Sequence, residues 1–513
     1  MTALVRSYGN ADKILALGAV CLAALVMPLS FTGPALALPA IGAALGGSPL
    51  ALSWVSNAFM LSFGSSLMAA GALADAYGRK RVFLGGVALF TASALALAGA
   101  CNIWQLDLLR ALQGVASAAA FAGGLAALAQ EFDQHARTRA FSLIGTTFGV
   151  GLAFGPLLSG YLVAAWGWRA IFVAAAAIGA LALAAGALCM RESRTPRAGG
   201  IDWPGALSFT AALSLFTYAI LQAPRSGWGS AGVLALLAGA ALLLGAFVLI
   251  ERRAAQPMLD LSLLRYPAFV GVQFLAAAPA YSYVVLLVLL PIRLIGIEGY
   301  AAIEAGQIMV ALSAPMLVVP LLAAQASRHI GAGVLAATGL LLAAAGLLWL
   351  SSCAPGQPVA RMLAPMLLIG FGISLPWGLM DGLAISVVPK EQAGMAAGIF
   401  STTRVAGEGV ALAVVAAALA ALIDTGLRAA GASAAPAALA PAALAEAAQR
   451  IAMGDLERAL ALLPHASHAL LAQVYGDAFR ILLYLLAALT TLTALLILHF
   501  LGSAAQGHAP ARR

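Results

Sequence analysis

Long apolar segments separated by short polar breaks run along almost the whole chain. Each apolar segment has 18 residues or more, and most charged residues fall in the breaks. An α-helix needs about 20 mostly apolar residues to cross a bilayer, so this pattern predicts fourteen membrane-spanning helices and an all-α polytopic membrane protein. They are expected at about residues 14–34, 50–73, 82–100, 106–128, 140–164, 169–189, 204–222, 231–250, 268–291, 303–324, 332–351, 361–386, 394–422 and 477–501.

Three longer breaks divide the predicted helices into groups. Polar linkers at 190–203 and 251–267 isolate one pair of helices and leave six on each side, as expected when two six-helix halves receive a central insert. The third break contains charged residues among Ala and Leu at 441–463, which fits either a solvated spacer or an amphipathic lid helix that docks on the outer surface. The predicted domains are an N-terminal six-helix bundle at 1–189, a linker with two extra helices at 190–267, a C-terminal six-helix bundle at 268–501 with an outer loop at 423–476, and a cytoplasmic tail at 502–513.

Composition excludes other classes of protein. The chain has 513 residues, of which 63% are hydrophobic and 9% charged, against about 45–50% and about 25% in soluble domains. These values exclude a water-soluble enzyme and a disordered chain. The four cysteines have no close spacing, so they predict neither a metal site nor a disulfide framework.

The basic residues predict the orientation of the chain. Cytoplasmic loops of membrane proteins carry an excess of Arg and Lys. With fourteen helices, one set of alternate breaks together with the termini carries seventeen basic residues, and the other set carries seven. This predicts a multi-pass protein of the cell inner membrane with both termini in the cytoplasm. The net charge of +8 then reflects this bias and not a nucleic-acid partner.

The short break after the second helix carries the most specific pattern in the chain. Its glycines allow a tight turn and close helix contact, an acid lies at the helix boundary, and three basic residues follow. These residues are Gly71, Asp75, Gly78, Arg79, Lys80 and Arg81. The pattern resembles the signature loop of the major facilitator superfamily, although Ala76 stands where a basic residue is common. The resemblance implies two six-helix bundles that alternate access around a midplane site, with this loop taking part in the conformational change.

The fourth predicted helix contains an arginine, Arg110. An Arg inside an apolar helix costs at least about 2.5 kcal/mol on insertion scales unless it meets a partner or water, so Arg110 is expected to face the interior. With Gln113 and Gly114 it resembles the second motif of the superfamily, which implies that Arg110 takes part in proton transfer. The alternative is a simple ion pair with Asp107, one turn earlier near the outer interface.

The fifth predicted helix combines small residues with a proline. Gly151, Gly155 and Gly160 give a flat face for close packing, and Pro156 removes one backbone hydrogen bond. Packing alone would explain the glycines. The Gly-Pro placement, however, resembles the motif that marks antiporters in the superfamily, so export is favoured over import.

The helix number and the motifs together resemble the fourteen-span drug:proton antiporters of the EmrB/QacA type over nearly the whole chain. The resemblance implies proton-coupled efflux of a small hydrophobic substrate, with a proton gradient and no cofactor. It also implies a monomer in the lipid bilayer, alone or with a periplasmic adaptor protein. One departure is important: Ser30 stands where the family usually has an Asp in its first helix. The coupling acid must therefore lie elsewhere.

Two later acids are candidates for proton coupling. Asp381 is expected about 12 Å from the cytoplasmic end of the twelfth helix, at 1.5 Å per residue. Glu408 follows Arg404 by one turn in the thirteenth helix. Burial favours the neutral carboxyl group and a nearby Arg favours the ionised one, so Glu408 and Arg404 form either a substrate-gated acid or a silent structural pair.

Several aromatic and polar residues are candidates for the wall of a substrate cavity. They are Trp54, Phe59, Gln113, Tyr281, Tyr283 and Trp377. Ordinary helix packing is the alternative for each. Arg293 and Glu304, near the outer ends of their helices, are expected at the membrane interface.

A membrane enzyme is disfavoured. The six histidines fall in breaks or near helix ends, and the sequence contains neither a His-Glu-x-x-His pattern nor a nucleotide-binding glycine loop. No metal site is predicted. An exporter or facilitator of a specific metabolite without proton coupling remains the open alternative, and Ser30 supports it.

Overall fold

The computed structural model describes most of the chain. The described residues are 10–132, 134–193, 202–254, 259, 261–327, 329–388, 393–434, 441–464 and 466–502. Most of the predicted tail and much of the basic linker after residue 190 lie outside them.

Helices make up the regular structure of the described residues. The first eight are α1 (Asn10–Leu45), α2 (Pro49–Tyr77), α3 (Arg79–Ala98), α4 (Ile103–Glu131), α5 (Gln134–Trp166), α6 (Arg169–Cys189), α7 (Trp203–Ser226) and α8 (Ala231–Arg253). They are followed by α9 (Pro267–Pro279), α10 (Val285–Pro291), α11 (Ala302–Ser313), α12 (Val319–Ala326), α13 (Ala332–Leu350), α14 (Ala360–Trp377) and α15 (Met380–Ser386). The last four are α16 (Ala393–Ala434), α17 (Pro441–Ala452), α18 (Leu456–Leu462) and α19 (His468–Gly502). Short π-helical turns at Ala280–Val284 and Ile292–Ile297 flank α10.

The number of membrane-spanning helices agrees with the prediction. In the described part of the chain, thirteen helical segments are long and apolar enough to cross a bilayer, with α9–α10, α11–α12 and α14–α15 each forming one segment. The fourteenth is α5, whose halves Leu143–Leu152 and Phe154–Trp166 are bent by 43°. Pro156 lacks the N–H that would bond to residue 152, which explains a bend at this place.

Three helices extend well beyond the apolar segments that predicted them. Helix α1 reaches Leu45, α16 reaches Ala434, and α19 begins at His468. Hydropathy marks only the portion that crosses the bilayer, whereas helical hydrogen bonding continues outside it until a breaking residue is met. Much of the predicted outer loop 423–476 is therefore helical.

The helices pack in two groups. Helices α1–α6 contact one another and form the first group, while α9–α16 and α19 contact one another and form the second. The groups meet where α5 contacts α11 and where α2 contacts α16. Helices α7 and α8 pack together, and α7 contacts α2 and α16, so α7 lies against this seam. We call the side with the α2–α3 turn at Gly78 the turn side, and the other the far side.

The outer surface of the bundle is apolar. Trp104, Leu108 and Leu242 are 76%, 73% and 75% exposed. Large apolar side chains on the outside suit contact with lipid tails, and the helices satisfy their backbone groups internally.

The segment predicted as a spacer or a lid forms two short helices that dock on the far side. Ala447, Ala448 and Ile451 of α17 are at most 1% exposed, and α17 packs against α16, α7 and α2. After α17, Gly454 has a φ of 77° and lies against Gly296. A Cβ added to Gly296 would be 2.5 Å from the Gly454 Cα. The structure therefore shows the docked alternative.

Candidate functional site

The α2–α3 turn is held by an ion pair and by an acid from the end of α6. The Arg79 Nε and Nη2 atoms donate to Asp75 Oδ1 at 3.1 and 2.8 Å. The backbone N–H groups of Lys80 and Arg81 donate to the Glu192 carboxylate, each at 3.2 Å. An acid at a helix N-terminus also meets the positive end of the helix dipole. The sequence reasoning missed Glu192, because its contact with the turn crosses more than a hundred residues.

The two glycines of this pattern, Gly71 and Gly78, have different surroundings. Gly78 has a φ of 115°, and a Cβ there would lie 2.5 Å from Glu192 Oε1, so the turn requires glycine. A Cβ on Gly71 would meet nothing within 4 Å. The expected close helix contact at Gly71 is therefore wrong, because this face of α2 is open.

Arg110 faces the interior, as predicted, and is fully buried. Its Nε donates to the Val55 carbonyl of α2 at 2.8 Å, and its Nη1 donates to Gln113 Oε1 at 2.6 Å. The guanidinium lies over the Phe59 ring, 4.4 Å from its centroid. Arg110 thus ties α4 to α2 inside the first group.

Asp107 is the buried acid that the sequence reasoning did not place in the site. It is 9% exposed, and both of its carboxylate oxygens are buried without a hydrogen-bond partner among the described residues. The simple ion pair with Arg110 is therefore wrong. Val55 and Gln113 hold the guanidinium instead. Asp107 could have been flagged as a charged residue one turn from Arg110 inside an apolar helix.

The glycines of α5 pack against both groups. A Cβ on Gly151 would lie 2.6 Å from the Leu25 carbonyl of α1, and Gly155 faces Thr32 of the same helix. Gly160 faces the backbone of Ala302 in α11. The face predicted for close packing therefore joins α5 to its own group through α1 and to the second group through α11.

Arg404 of α16 pairs with Asp381 and not with Glu408. Its Nη1 lies 3.5 Å from Asp381 Oδ1, and the Arg404 side chain is 8% exposed. The Asp381 side chain is 60% exposed, and its role in proton coupling stays a prediction. Helix α14 ends at Trp377 and α15 begins at Met380, which places Asp381 at a break between helices.

Glu408 is the buried acid of the second group. It is 5% exposed, and in the described part of the chain it has no hydrogen-bond or ion-pair partner. It lies where α16 meets α2: a Cβ on Gly64 would be 2.5 Å from the Ala406 nitrogen. Arg404 makes its ion pair with Asp381, and the function of Glu408 stays a prediction.

An aromatic row connects Arg110 of the first group to Arg404 of the second. Neighbouring ring centroids along this row are 5.9–6.4 Å apart. Its members are Phe59, Phe63, Phe121, Phe148 and Trp377. Arg110 covers the first ring, and Arg404 lies 5.9 and 5.8 Å from the last two. The contact of Phe148 with Trp377 crosses from the first group to the second.

The other predicted cavity residues are held by protein neighbours. Gln113 is fully buried against Arg110. The Tyr283 hydroxyl donates to Ser313 at 3.1 Å, and the Tyr281 hydroxyl bonds to Thr493. The ring centroids of Trp54 and Tyr218 of α7 are 6.2 Å apart. Their role in substrate binding stays a prediction.

A small pocket lies on the far side between α2, α7, α10, α16 and α17. Its polar lining comes from Ser53, Ser56, Asn57 and Gln449, and no charged residue among the described ones lines it. The Ser56 hydroxyl and Asn57 Oδ1 are buried there and have no hydrogen-bond partner among the described residues. The free volume of about 50 Å³ suffices for only a few waters, so the pocket in this conformation does not hold a drug-sized ligand.

Arg293 is buried among protein groups, and its place at the membrane interface stays a prediction. It is 1% exposed, and it donates to Glu298 Oε1 at 2.7 Å and to the Cys353 carbonyl at 2.7 Å. These partners close around the guanidinium at the far-side end of its helix. Glu304 is exposed and accepts a bond from the Ala301 N–H.

The fold and these charge pairs define a class of protein. The described residues contain no cluster of three or more His, Cys, Asp or Glu that could hold a metal ion. Buried charges at helix contacts, inside two helix groups that span a membrane, are features of a polytopic membrane transporter.

The chain belongs to the Major Facilitator Superfamily, whose sequence profile matches residues 20–412. It is 33% identical to the multidrug resistance protein Stp of Mycobacterium tuberculosis (strain CDC 1551 / Oshkosh) over 76% of this chain and 73% of that protein. It is 34% identical to the cephamycin export protein CmcT of Amycolatopsis lactamdurans over 80% and 85%, and 34% identical to the puromycin resistance protein pur8 of Streptomyces alboniger over 76% and 79%. The chain is thus a membrane transporter and not an enzyme.

Solved structures show the same fold. A bacterial homolog of the human lysosomal transporter Spinster, inward-facing and unoccupied, matches with a TM-score of 0.65 at 14% identity, over 98% of this chain and 100% of that one. The xylose transporter XylE from E. coli, partially occluded and inward open, matches with a TM-score of 0.58 at 13% identity, over 95% and 99%. At such identities the likeness concerns the fold alone.

Proposed function

We propose that this transporter exports small lipophilic compounds in exchange for protons, by alternating access between its two helix groups. The curated relatives are named for drug resistance or for antibiotic export. The Gly155-Pro156 pair on α5 supports the same direction; Gly155 faces α1, and the Pro156 carbonyl meets Gly306 of α11. The substrate class is a small hydrophobic compound.

Glu408 carries the proton part of this proposal. A carboxyl group that is 5% exposed and has no hydrogen bond to any described residue is costly to ionise, so it holds a proton until its surroundings change. It lies at the α2–α16 contact, where the groups must separate when access alternates. A substrate that draws Arg404 from Asp381 toward Glu408 would favour release of that proton. Arg110 is the corresponding candidate in the first group.

An exporter without proton coupling is the second candidate. Ser30, at the position of the missing family acid, is buried and its hydroxyl has no partner among the described residues. Asp381, the other expected coupling acid, is paired with Arg404, which favours its ionised form. Both observations favour an exporter or facilitator of a specific metabolite without proton coupling if Glu408 does not exchange its proton.

The remaining organisation follows from the same proposal. The turn side faces the cytoplasm, with both termini, because the breaks there carry more basic residues. The domain boundaries are those of the sequence, with α7–α8 as an insert whose α7 lies against the seam. The protein works as a monomer, with or without a periplasmic adaptor.

The test uses purified protein in liposomes that enclose a pH-sensitive dye. Three compounds are added in turn: the permanent cation ethidium, puromycin, and the neutral compound chloramphenicol. The proteins compared are wild type, Glu408→Gln and Asp381→Asn. We expect a proton flux on addition of at least one compound, with complete loss in Glu408→Gln and partial loss in Asp381→Asn. The matched control is Glu457→Gln, an exposed glutamate of α18. Substrate flux without proton flux in the wild type would favour the uncoupled exporter.

A further inference from the structure

Asp107 is a buried carboxyl group for which the structure provides no fixed partner. Both oxygens are shielded from solvent and lack hydrogen bonds in the described part of the chain. An ionised carboxylate in this state would be strongly disfavoured, whereas a neutral one is tolerated. We propose that Asp107 is a second proton-binding group, and that its deprotonation transfers Arg110 from the Val55 carbonyl to the Asp107 carboxylate. This inference rests on the proposed proton exchange.

The geometry offers Arg110 two alternative sets of partners. Asp107 and Arg110 are three residues apart on α4, so their side chains lie on the same face. In this structure the guanidinium is bound by Val55 and Gln113, and its Nη2 has no partner among the described residues. A free donor and a free acceptor therefore lie within one helical turn. Rotation of the long Arg side chain joins them without movement of α4.

The surroundings of Asp107 contain few competing charges. Arg110 is the charged group that interacts with it electrostatically. On the helices packed against α4, the described charged residues lie mainly at the turn-side ends: Asp12 and Lys13 on α1, Asp75 on α2, and Arg79, Lys80 and Arg81 on α3. On the far side, Arg169 at the start of α6 donates to the Ala100 carbonyl, and Cys101 is exposed. The state of Asp107 is thus set by its own proton and by Arg110.

The position of Asp107 connects it to the far side. It is the fifth residue of α4, which begins on the far side at Ile103, so it lies about 6 Å along the helix axis from that end. When its proton leaves, one negative charge appears and is neutralised by the Arg110 guanidinium. The Arg110–Val55 bond between α4 and α2 is broken in the same step. Because α2 contacts α16, this change reaches the seam between the groups.

The test is infrared difference spectroscopy of the protein in liposomes between about pH 6, where exposed carboxyl groups are already ionised, and about pH 10; it requires no substrate. Protonated carboxyl groups give a carbonyl band that disappears on ionisation. We expect Asp107→Asn to remove one component of the wild-type band and Glu408→Gln to remove another. Asp107→Glu keeps the component at a shifted frequency, and serves if the Asn variant does not fold. The matched control is Asp477→Asn, whose side chain is 51% exposed beside Arg480.

The outcomes separate this inference from the proposed function. If the band of Asp107→Asn equals that of Asp477→Asn and the wild type, Asp107 does not exchange a proton and the inference is wrong. If Asp107→Glu leaves the frequency unchanged, the same conclusion holds. If transport proceeds without proton flux while the Asp107 component still titrates, the proposed antiport fails and the proton-binding assignment stands.

Discussion

The contact between α5 and α11 should control which side of the transporter is open. In the structure a Cβ on Gly306 would lie 2.7 Å from the Pro156 carbonyl and 3.0 Å from the Leu157 Cα. Both neighbours are backbone atoms, so they cannot rotate away, and Gly306→Ala must push the helices apart. Overpacking of this kind costs about 1–3 kcal/mol. The gain in helix propensity from Gly to Ala is the same in both conformations and cancels.

The cost falls only on the conformation in which α5 and α11 touch. Since 1.4 kcal/mol is a tenfold change in an equilibrium constant, the population with this contact closed should fall by about 5- to 150-fold. Spin labels at Trp166 and Ala301, in a background in which the four native cysteines are replaced, report the distance between these ends by electron resonance. Gly149→Ala is the control, because a Cβ there meets nothing within 4 Å. A distance distribution for Gly306→Ala equal to that of Gly149→Ala, in a folded protein, would refute the reasoning.

Two further glycine substitutions probe the ends of the bundle. Gly78→Ala should destabilise the α2–α3 turn by about 1–3 kcal/mol, because φ at this position is 115° and the added Cβ would clash with Glu192. It should lower the thermal unfolding midpoint, whereas Gly71→Ala, in open space, should leave the midpoint unchanged or raise it. Equal midpoints for the two variants would contradict the turn geometry. Gly454→Val should undock α17 and α18, because φ at this position is 77° and the Gly296 backbone leaves no room. The expected result is faster amide hydrogen exchange confined to residues 441–464. The control is Gly356→Val, at a second glycine with positive φ that lies in open space. Protection unchanged from wild type in Gly454→Val would show that the segment docks by other contacts.

The sequence predicts most of this fold because the bilayer restricts the possibilities. A chain of apolar segments must cross as helices, and helix number follows from counting them. The break between α14 and α15 and the long extension of α19 are not predictable in this way, since both depend on local backbone bonds outside the hydropathy signal. The docking of α17 likewise depends on close contact between Gly454 and Gly296, which are far apart in sequence.

The candidate site is predictable only in part, for a related physical reason. The burial of Arg110 and of Glu408 follows from the cost of a charge in an apolar helix. The partner of each charge does not follow, because spacing along one helix suggested Asp107 for Arg110 and Glu408 for Arg404, whereas the structure uses Val55 of α2 and Asp381 beside α14. Partners on other helices can be found only once the helices are packed.

The aromatic row connects the buried Arg404 to the contact between the two helix groups. Its first three rings belong to α2 and α4 and its fourth to α5, all in the first group, while Trp377 belongs to α14 in the second. Any opening along the seam between α5 and α14 must separate Phe148 from Trp377. Arg404 contacts both rings, so that opening also removes part of its surroundings and leaves the guanidinium free to exchange Asp381 for another anion. The movement of the two groups therefore affects which anion Arg404 binds, through its direct contact with these two rings.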